Sequence, residues 1–295
     1  MTVVAVERGL TGRRRVVGVG VGAELLPGVL AARERTDGGV WRLRCPPNVV
    51  DGLGRAFVLG TAVAEACETD RIELRVAPSP TASRRLFVTD ETVLAVAGPE
   101  DDRAVVAESD PDVVTGIAAA ATERFEAGEP ATVAMPGRTR LVETARSRIG
   151  TRFADELASV LSTADPGAFD RSTPVSDRVL LLACGARHDH LFSTVRGWAD
   201  DVGIAGGQTF TEPRRLLVEA GLVESVKVPM GVGHPNYRLR VADESLARAS
   251  ADEVVGVLRD RLAGEASAEP AGQLGGDREL TDRHARDAPP RENRK

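Results

Sequence analysis

Residues 198–213 read WADDVGIAGGQTFTEP, and the run continues RRLLVEAGLV to residue 223. A small residue, Ala199, is followed four positions later by Gly203 and then by the aliphatic Ile204. That is the spacing of a helix-turn-helix: the small residue lets the next helix cross, the glycine takes the positive φ of the turn, and the aliphatic plugs the core. Thr209 and Glu212 fit a capping box that would open the next helix. On that helix Phe210, Leu216 and Leu217 are expected to face the core, while Gln208, Thr211, Arg214 and Arg215 face out. Pro213, at the fourth helical position, is expected to forfeit a hydrogen bond and distort the helix.

Working outward strengthens the pattern. Residues 175–186, VSDRVLLLACGA, read as a short apolar helix, and residues 191–201 as a second with Val195, Trp198, Ala199 and Val202 inward. Gly221 ends the third helix. Residues 222–228 form a strand, PMGVGHPN a glycine-rich tip, and residues 237–241 a return strand with Tyr237, Leu239 and Val241 inward. Three helices and a hairpin in this order make a winged helix-turn-helix. The chemistry it predicts is a third helix in the major groove with the wing along the backbone. Arg214 or Arg215 suits guanine edges and Gln208 suits adenine. Thr209, Thr211, Lys227, His234, Asn236 and Arg238 suit phosphates. The competing reading is a winged helix that docks a protein. Between residues 187 and 240 there are seven basic and six acidic residues, a weakly basic stretch in a chain whose net charge is −6.

The first half reads as a mixed α/β domain with one sheet. Strands are expected at 16–22, 40–45, 72–76, 85–88, 93–97, 104–107 and 132–135. Helices are expected at 23–33, 49–67, from Asp110-Pro111 to about 127, and as one long helix over 141–161. Residues 89–91 and 98–102 have hairpin-turn chemistry. Residues 162–174, STADPGAFDRSTP, read as a linker, and the apolar-poor 264–295 as a disordered tail. The expected organisation is therefore a regulatory or dimerising α/β domain at 1–165, a winged DNA-binding domain at 174–263, and the tail. Ser250 and Glu253 form a second capping box, opening a helix to about 263 with Val254, Val255, Leu258 and Leu262 on one side. That stripe packs on the winged unit or against a second copy; a homodimer is expected, since winged repressors of bacterial type usually need two half-sites.

Composition excludes several function classes. Hydrophobic residues are 42% of the chain and aromatics 3%, so the core is aliphatic. Only Lys227 and Lys295 among the 38 basic residues are lysine. An acidic chain is not a general polyanion binder, so any nucleic-acid contact must be local. Cys45, Cys67 and Cys184 are scattered among apolar residues, as expected for buried thiols in a reducing compartment. No stretch approaches the length of a membrane span, and a cytoplasmic protein is expected. Gly18, Gly20 and Gly22 follow a strand and precede a helix, which raises the alternative of a nucleotide-sensing α/β protein. Their spacing is not GxGxxG and no Lys-Ser/Thr pair follows. His188-Asp189-His190 lacks a third metal ligand, and Asp200-Asp201 read as solvated. No base, nucleophile and acid assemble into a catalytic set. No enzyme activity, cofactor or metal is expected.

The run from residue 197 to 241, GWADDVGIAGGQTFTEPRRLLVEAGLVESVKVPMGVGHPNYRLRV, resembles the C-terminal part of the haloarchaeal TbsP-like transcriptional regulators. LFVTDETVLAV, residues 86–96, resembles a stretch of their N-terminal domain. The resemblance spans about residues 84–262 and implies a DNA-binding regulator of metabolic genes, contacting double-stranded promoter DNA through the winged helix. A small-molecule effector at the N-terminal domain is an expectation. Glu212 and Pro213 depart from the family's more basic, hydroxyl-rich pattern.

Overall fold

The computed structural model describes residues 2–77, 85–98, 103–164, 175–204, 207–229 and 236–266. It opens with helix α1 (Thr2–Leu10), which the sequence reading missed because the segment has no cap signal and begins at the start of the chain. Strand β1 (Val17–Val19), helix α2 (Leu26–Glu34), strand β2 (Trp41–Cys45), helices α3 (Pro47–Leu53) and α4 (Phe57–Glu68), and strand β3 (Ile72–Val76) follow. The single helix expected over 49–67 is thus two, parted around Gly54 and Ala56.

Strands β4 (Arg85–Val88), β5 (Val93–Ala97) and β6 (Ala104–Glu108) then form an antiparallel series, as expected. The first turn closes through the Thr89 hydroxyl, which accepts from the Glu91 and Thr92 amides at 3.2 and 2.9 Å. Most of the second expected turn lies outside the described residues. Asp110 caps helix α5 (Pro111–Glu126) by accepting from the amides of Asp112 and Val113, so a side chain satisfies donors the helix itself leaves open. The strand expected at 132–135 is absent; a two-residue strand β7 (Glu129–Pro130) precedes that stretch.

The seven strands form one mixed sheet in the order β6-β5-β4-β1-β2-β3-β7. Strands β1, β2 and β3 run parallel, with Gly18 beside Leu43 and Leu43 beside Leu74, and β4 pairs antiparallel with β1. Alternation along β2 buries Trp41, Leu43 and Cys45 with α1–α4 on one face. The other face packs Val19, Leu86 and Val88 beneath Val114 and Ala121 of α5. N-terminal α/β with a mixed sheet is the observed class.

The long helix expected over 141–161 is also two, α6 (Arg138–Arg148) and α7 (Thr151–Thr163). They break at Gly150, whose φ of +146° is open to glycine and costly for other residues. Leu141, Phe153, Leu157 and Val160 of this pair are buried in the same core as the C-terminal unit. The Phe153 ring stands edge-on to that of Trp198 at 5.6 Å, and the Trp198 indole donates to the Thr144 hydroxyl at 3.2 Å. Most of the expected linker lies outside the described residues.

The C-terminal unit comprises α8 (Asp177–Arg187), α9 (Phe192–Asp201), a 3-10 turn (Gly207–Phe210), α10 (Thr211–Glu219), strands β8 (Val223–Val228) and β9 (Asn236–Val241), α11 (Glu244–Arg248) and α12 (Val254–Ala266). Gly203 has φ of +80° and Ile204 is buried, as the turn requires. Helices α8, α9 and α10 with the β8–β9 hairpin make the expected winged helix-turn-helix. Leu191, just before α9, adds a bridge to Arg238 on the outer side of β9. Half of the Ser250–Glu253 capping box forms: Glu253 accepts from the Ser250 amide at 2.9 Å, but the Ser250 hydroxyl donates to the same carboxylate at 2.6 Å and the Glu253 amide donates to the Ser250 carbonyl. Val254, Val255, Leu258 and Leu262 are buried in the unit's own core, and α12 continues to Ala266, past the expected start of the tail.

Candidate nucleic-acid interface

Helix α10 is anchored by Phe210 and Leu217, both buried, so its opposite side is outward. Its start differs from the expectation. Phe210 occupies the cap position with no side-chain cap bond, because the 3-10 turn runs straight into the helix. The Thr209 hydroxyl instead accepts from Arg178 Nε at 3.0 Å, and Glu212 pairs with Arg215 at 2.5 Å. Pro213 falls at the third helical position, where its missing N–H had no partner within the helix to lose. The expected distortion therefore does not arise.

The arginine pair divides. Arg214 is half-buried rather than outward. Its guanidinium stacks over Tyr237 of β9 at 4.4 Å and over Phe192 of α9 at 4.9 Å. A planar cation between two ring faces ties α10 to α9 and to the wing. Arg196 lies over the same Phe192 ring at 5.7 Å. Arg215 is exposed and sits between Glu212 at 2.5 Å and Glu219 at 3.8 Å.

The remaining expected residues spread along the wing and turn. Gln208 lies in the 3-10 turn; Thr211 starts α10 and is exposed. Lys227 is exposed on β8, directly across from Tyr237. Asn236 starts β9; its Nδ2 donates to Ser193 Oγ at 2.5 Å and its Oδ1 accepts from the Tyr237 amide at 2.9 Å. Arg238 is half-buried and donates to the Asp189 carbonyl at 3.2 Å. His234 lies outside the described residues. The structure thus gathers Arg214, Lys227 and Asn236 around Tyr237, and it adds Arg178, Ser193 and Arg196. Those three were missed; only the Phe192-x-x-x-Arg196 helical spacing pointed to one of them.

The other candidates resolve into structure. The Gly20 and Val21 amides donate to the Arg44 carbonyl at 3.0 and 3.2 Å. Next to them the Glu24 carboxylate meets Arg85 and Arg103. Amides already engaged beside a carboxylate are a poor cradle for phosphate. His188 Nε2 lies 2.6 Å from Glu156 of α7, which also pairs with Arg187. Arg187 in turn donates to the Leu246 carbonyl and to that of Ala249 at 2.6 Å. Asp201 pairs with Arg148 at 3.0 Å. Burial pushes the Cys45 thiol up to about 12 and that of Cys67 to about 11, and raises Cys184 as well; protonated thiols are neither nucleophiles nor metal ligands. Among the described residues no helix is long and apolar enough to cross a membrane, and no cluster of His, Cys, Asp or Glu could hold a metal.

Comparison with known proteins follows the same division of the chain. The family described as "Transcriptional regulator TbsP-like, N-terminal" matches residues 4–136. The one described as "Transcriptional regulator TbsP-like, C-terminal HTH domain" matches residues 137–259. The two matches meet just ahead of α6, so the second takes in the helix pair that shares the winged unit's core. No curated relative matches. Among solved structures, the chain is similar to one titled "Structure of TrmBL2, an archaeal chromatin protein, shows a novel mode of DNA binding.". That likeness has 14% identity and a TM-score of 0.35, and spans 44% of this chain and 50% of that one. It is too slight to carry an argument. With both matches running in order from residue 4 to 259, the chain belongs to the TbsP-like transcriptional regulators.

Proposed function

We propose that the protein binds double-stranded promoter DNA in a sequence-specific way, with α10 in the major groove and the β8–β9 wing on the flanking backbone. The observation that carries this reading is the Arg214 stack. It locks the outward helix to the wing, so that both meet the duplex as one surface. Arg215, Gln208 and Thr211 lie on or just before the helix and are assigned to base edges and nearby phosphates. Thr209, Lys227, His234, Asn236 and Arg238 are assigned to the backbone. Two copies on two half-sites, metabolic genes as targets, and an effector acting through the α/β unit complete the reading.

A second reading has its own support. Glu212 and Glu219 flank Arg215, and Val218 on the same helix is 41% exposed, a mixture that suits a protein partner. Genome-wide occupancy of the tagged protein, followed by gel shifts on the occupied promoters, separates the two. Discrete promoter peaks, with binding that survives excess random DNA, are expected. Absence of peaks together with salt-independent failure to shift any promoter fragment would leave the protein-docking reading.

A further inference from the structure

The sheet's two edges are built differently. At one, β7 is two residues long and ends in Pro130, which has no N–H to offer a further strand. At the other, β6 reads Ala104-Val105-Val106-Ala107-Glu108, and among the described residues it pairs only with β5. Its register against β5 is continuous, with no bulge, and no lysine or proline interrupts it. Natural sheets usually guard such an edge. Val106 is 58% exposed and shares a face with Ala95, Ala97 and Ala104. Helix α5 starts three residues beyond β6, and Val113 in its first turn is 42% exposed. The α12 stripe, the other candidate for contact between copies, is already covered by its own core.

We propose that β6 pairs antiparallel with β6 of a second copy, centred on Val106, so that the two sheets become one across a two-fold axis. The open row of backbone donors and acceptors calls for an extended strand, and this strand is its own complement. In that register Val106 faces Val106, Val105 faces Ala107, and Ala104 faces Glu108, so no like charges oppose. A strand with one charge in five residues offers little to a strongly charged partner. The inference deepens the two-copy reading above, and it is tested without DNA, so its failure leaves the DNA reading standing.

Sedimentation velocity of the full chain supplies the test. The unaltered protein is expected to be a dimer at micromolar concentration. Val106→Lys and Val106→Glu each place like charges opposite one another and are expected to raise the dimer dissociation constant at least tenfold. An equimolar mixture of the two variants is expected to recover the dimer, which also shows that both fold. A monomeric unaltered protein, a single variant that stays dimeric, or a mixture that stays monomeric overturns the proposal.

Discussion

Arg33 of the α/β unit and Arg214 of the winged unit both sit against aromatic rings, yet their surroundings differ in kind. Arg33 is 4% exposed. It donates to the carbonyls of Arg71 at 3.1 Å, Gly39 at 2.7 Å and Thr36, and lies 5.7 Å over Trp41. Every face of that guanidinium is used by its own chain, and burial first, then the neighbouring Arg71, lowers its pKa. Arg214 has two rings and is half-buried, leaving an edge toward solvent. In a chain whose basic residues are nearly all arginine, the count of arginines does not locate an interface. What separates these two is the partner: backbone carbonyls hold Arg33 in place, whereas ring faces hold Arg214.

The comparison breaks most readily at Arg33. Arg33→Ala removes three donated bonds, although the Arg71 carbonyl keeps the Trp41 amide, and strips the guanidinium from beside Trp41; it is expected to cost roughly 2–3 kcal/mol of stability. Arg33→Lys is expected to fail as a rescue, since a single ammonium cannot span the three acceptors. Denaturant unfolding of both variants checks this. A loss under about 1 kcal/mol for Arg33→Ala would mean the arginine is no more structural than those of the wing.

Next in size is the contrast within the arginine pair. Arg214→Ala removes two ring contacts at about 0.5–1 kcal/mol each, so stability should fall by about 1–2 kcal/mol. Because α10 and the wing are then untied, affinity for promoter and random DNA should fall together. Arg215→Ala is expected to leave stability within about 0.5 kcal/mol. Its cost should be about 1–3 kcal/mol on the specific site alone. Unfolding curves beside competition gel shifts separate the two patterns. If Arg215→Ala destabilised the fold as much as Arg214→Ala, the division of labour between them would be wrong.

Lys227 probes backbone contact. It is exposed at the wing and directly across from Tyr237. Lys227→Ala should weaken binding to all sequences and lower the slope of log affinity against log salt by about one. An unchanged slope would take the wing off the phosphate backbone.

Local signals carried much of this architecture. The helix opening at Asp110, the Glu253 half of the Ser250–Glu253 box, the positive φ at Gly203 and the alternation of β2 and the start of β3 each rest on a few residues, and each appears in the structure. The breaks within 49–67 and 141–161 fall at Gly54 and Gly150, inside apolar spacing that runs on through both glycines and so reads as one helix. What else was illegible depended on contacts with other elements. Thr209 and Glu212 had the right spacing for a box, but Arg178 and Arg215 offered them competing partners. Helical spacing places Arg214 outward because it shows neither Phe192 nor Tyr237.

The smallest expected effect lies at the seam between α7 and the winged unit. His190 meets Phe153 edge-on at 5.8 Å and lies 6.2 Å from the His188 ring. Burial first, then His188 and Arg238, lower its pKa, while Asp189 opposes them. In the unfolded chain the imidazole titrates near its ordinary value of about 6.5. As pH falls through that value the unfolded chain takes up the proton first, so the contribution to stability is present above it and is lost on acidification. The native protein should therefore lose more thermal stability between about pH 7.5 and 5.5 than His190→Gln, which has no proton to take up in that window. Melting curves of the two proteins across this range check the difference. Parallel losses would show that the seam does not sense acid through His190, and would return the pH dependence to carboxylates elsewhere in the fold.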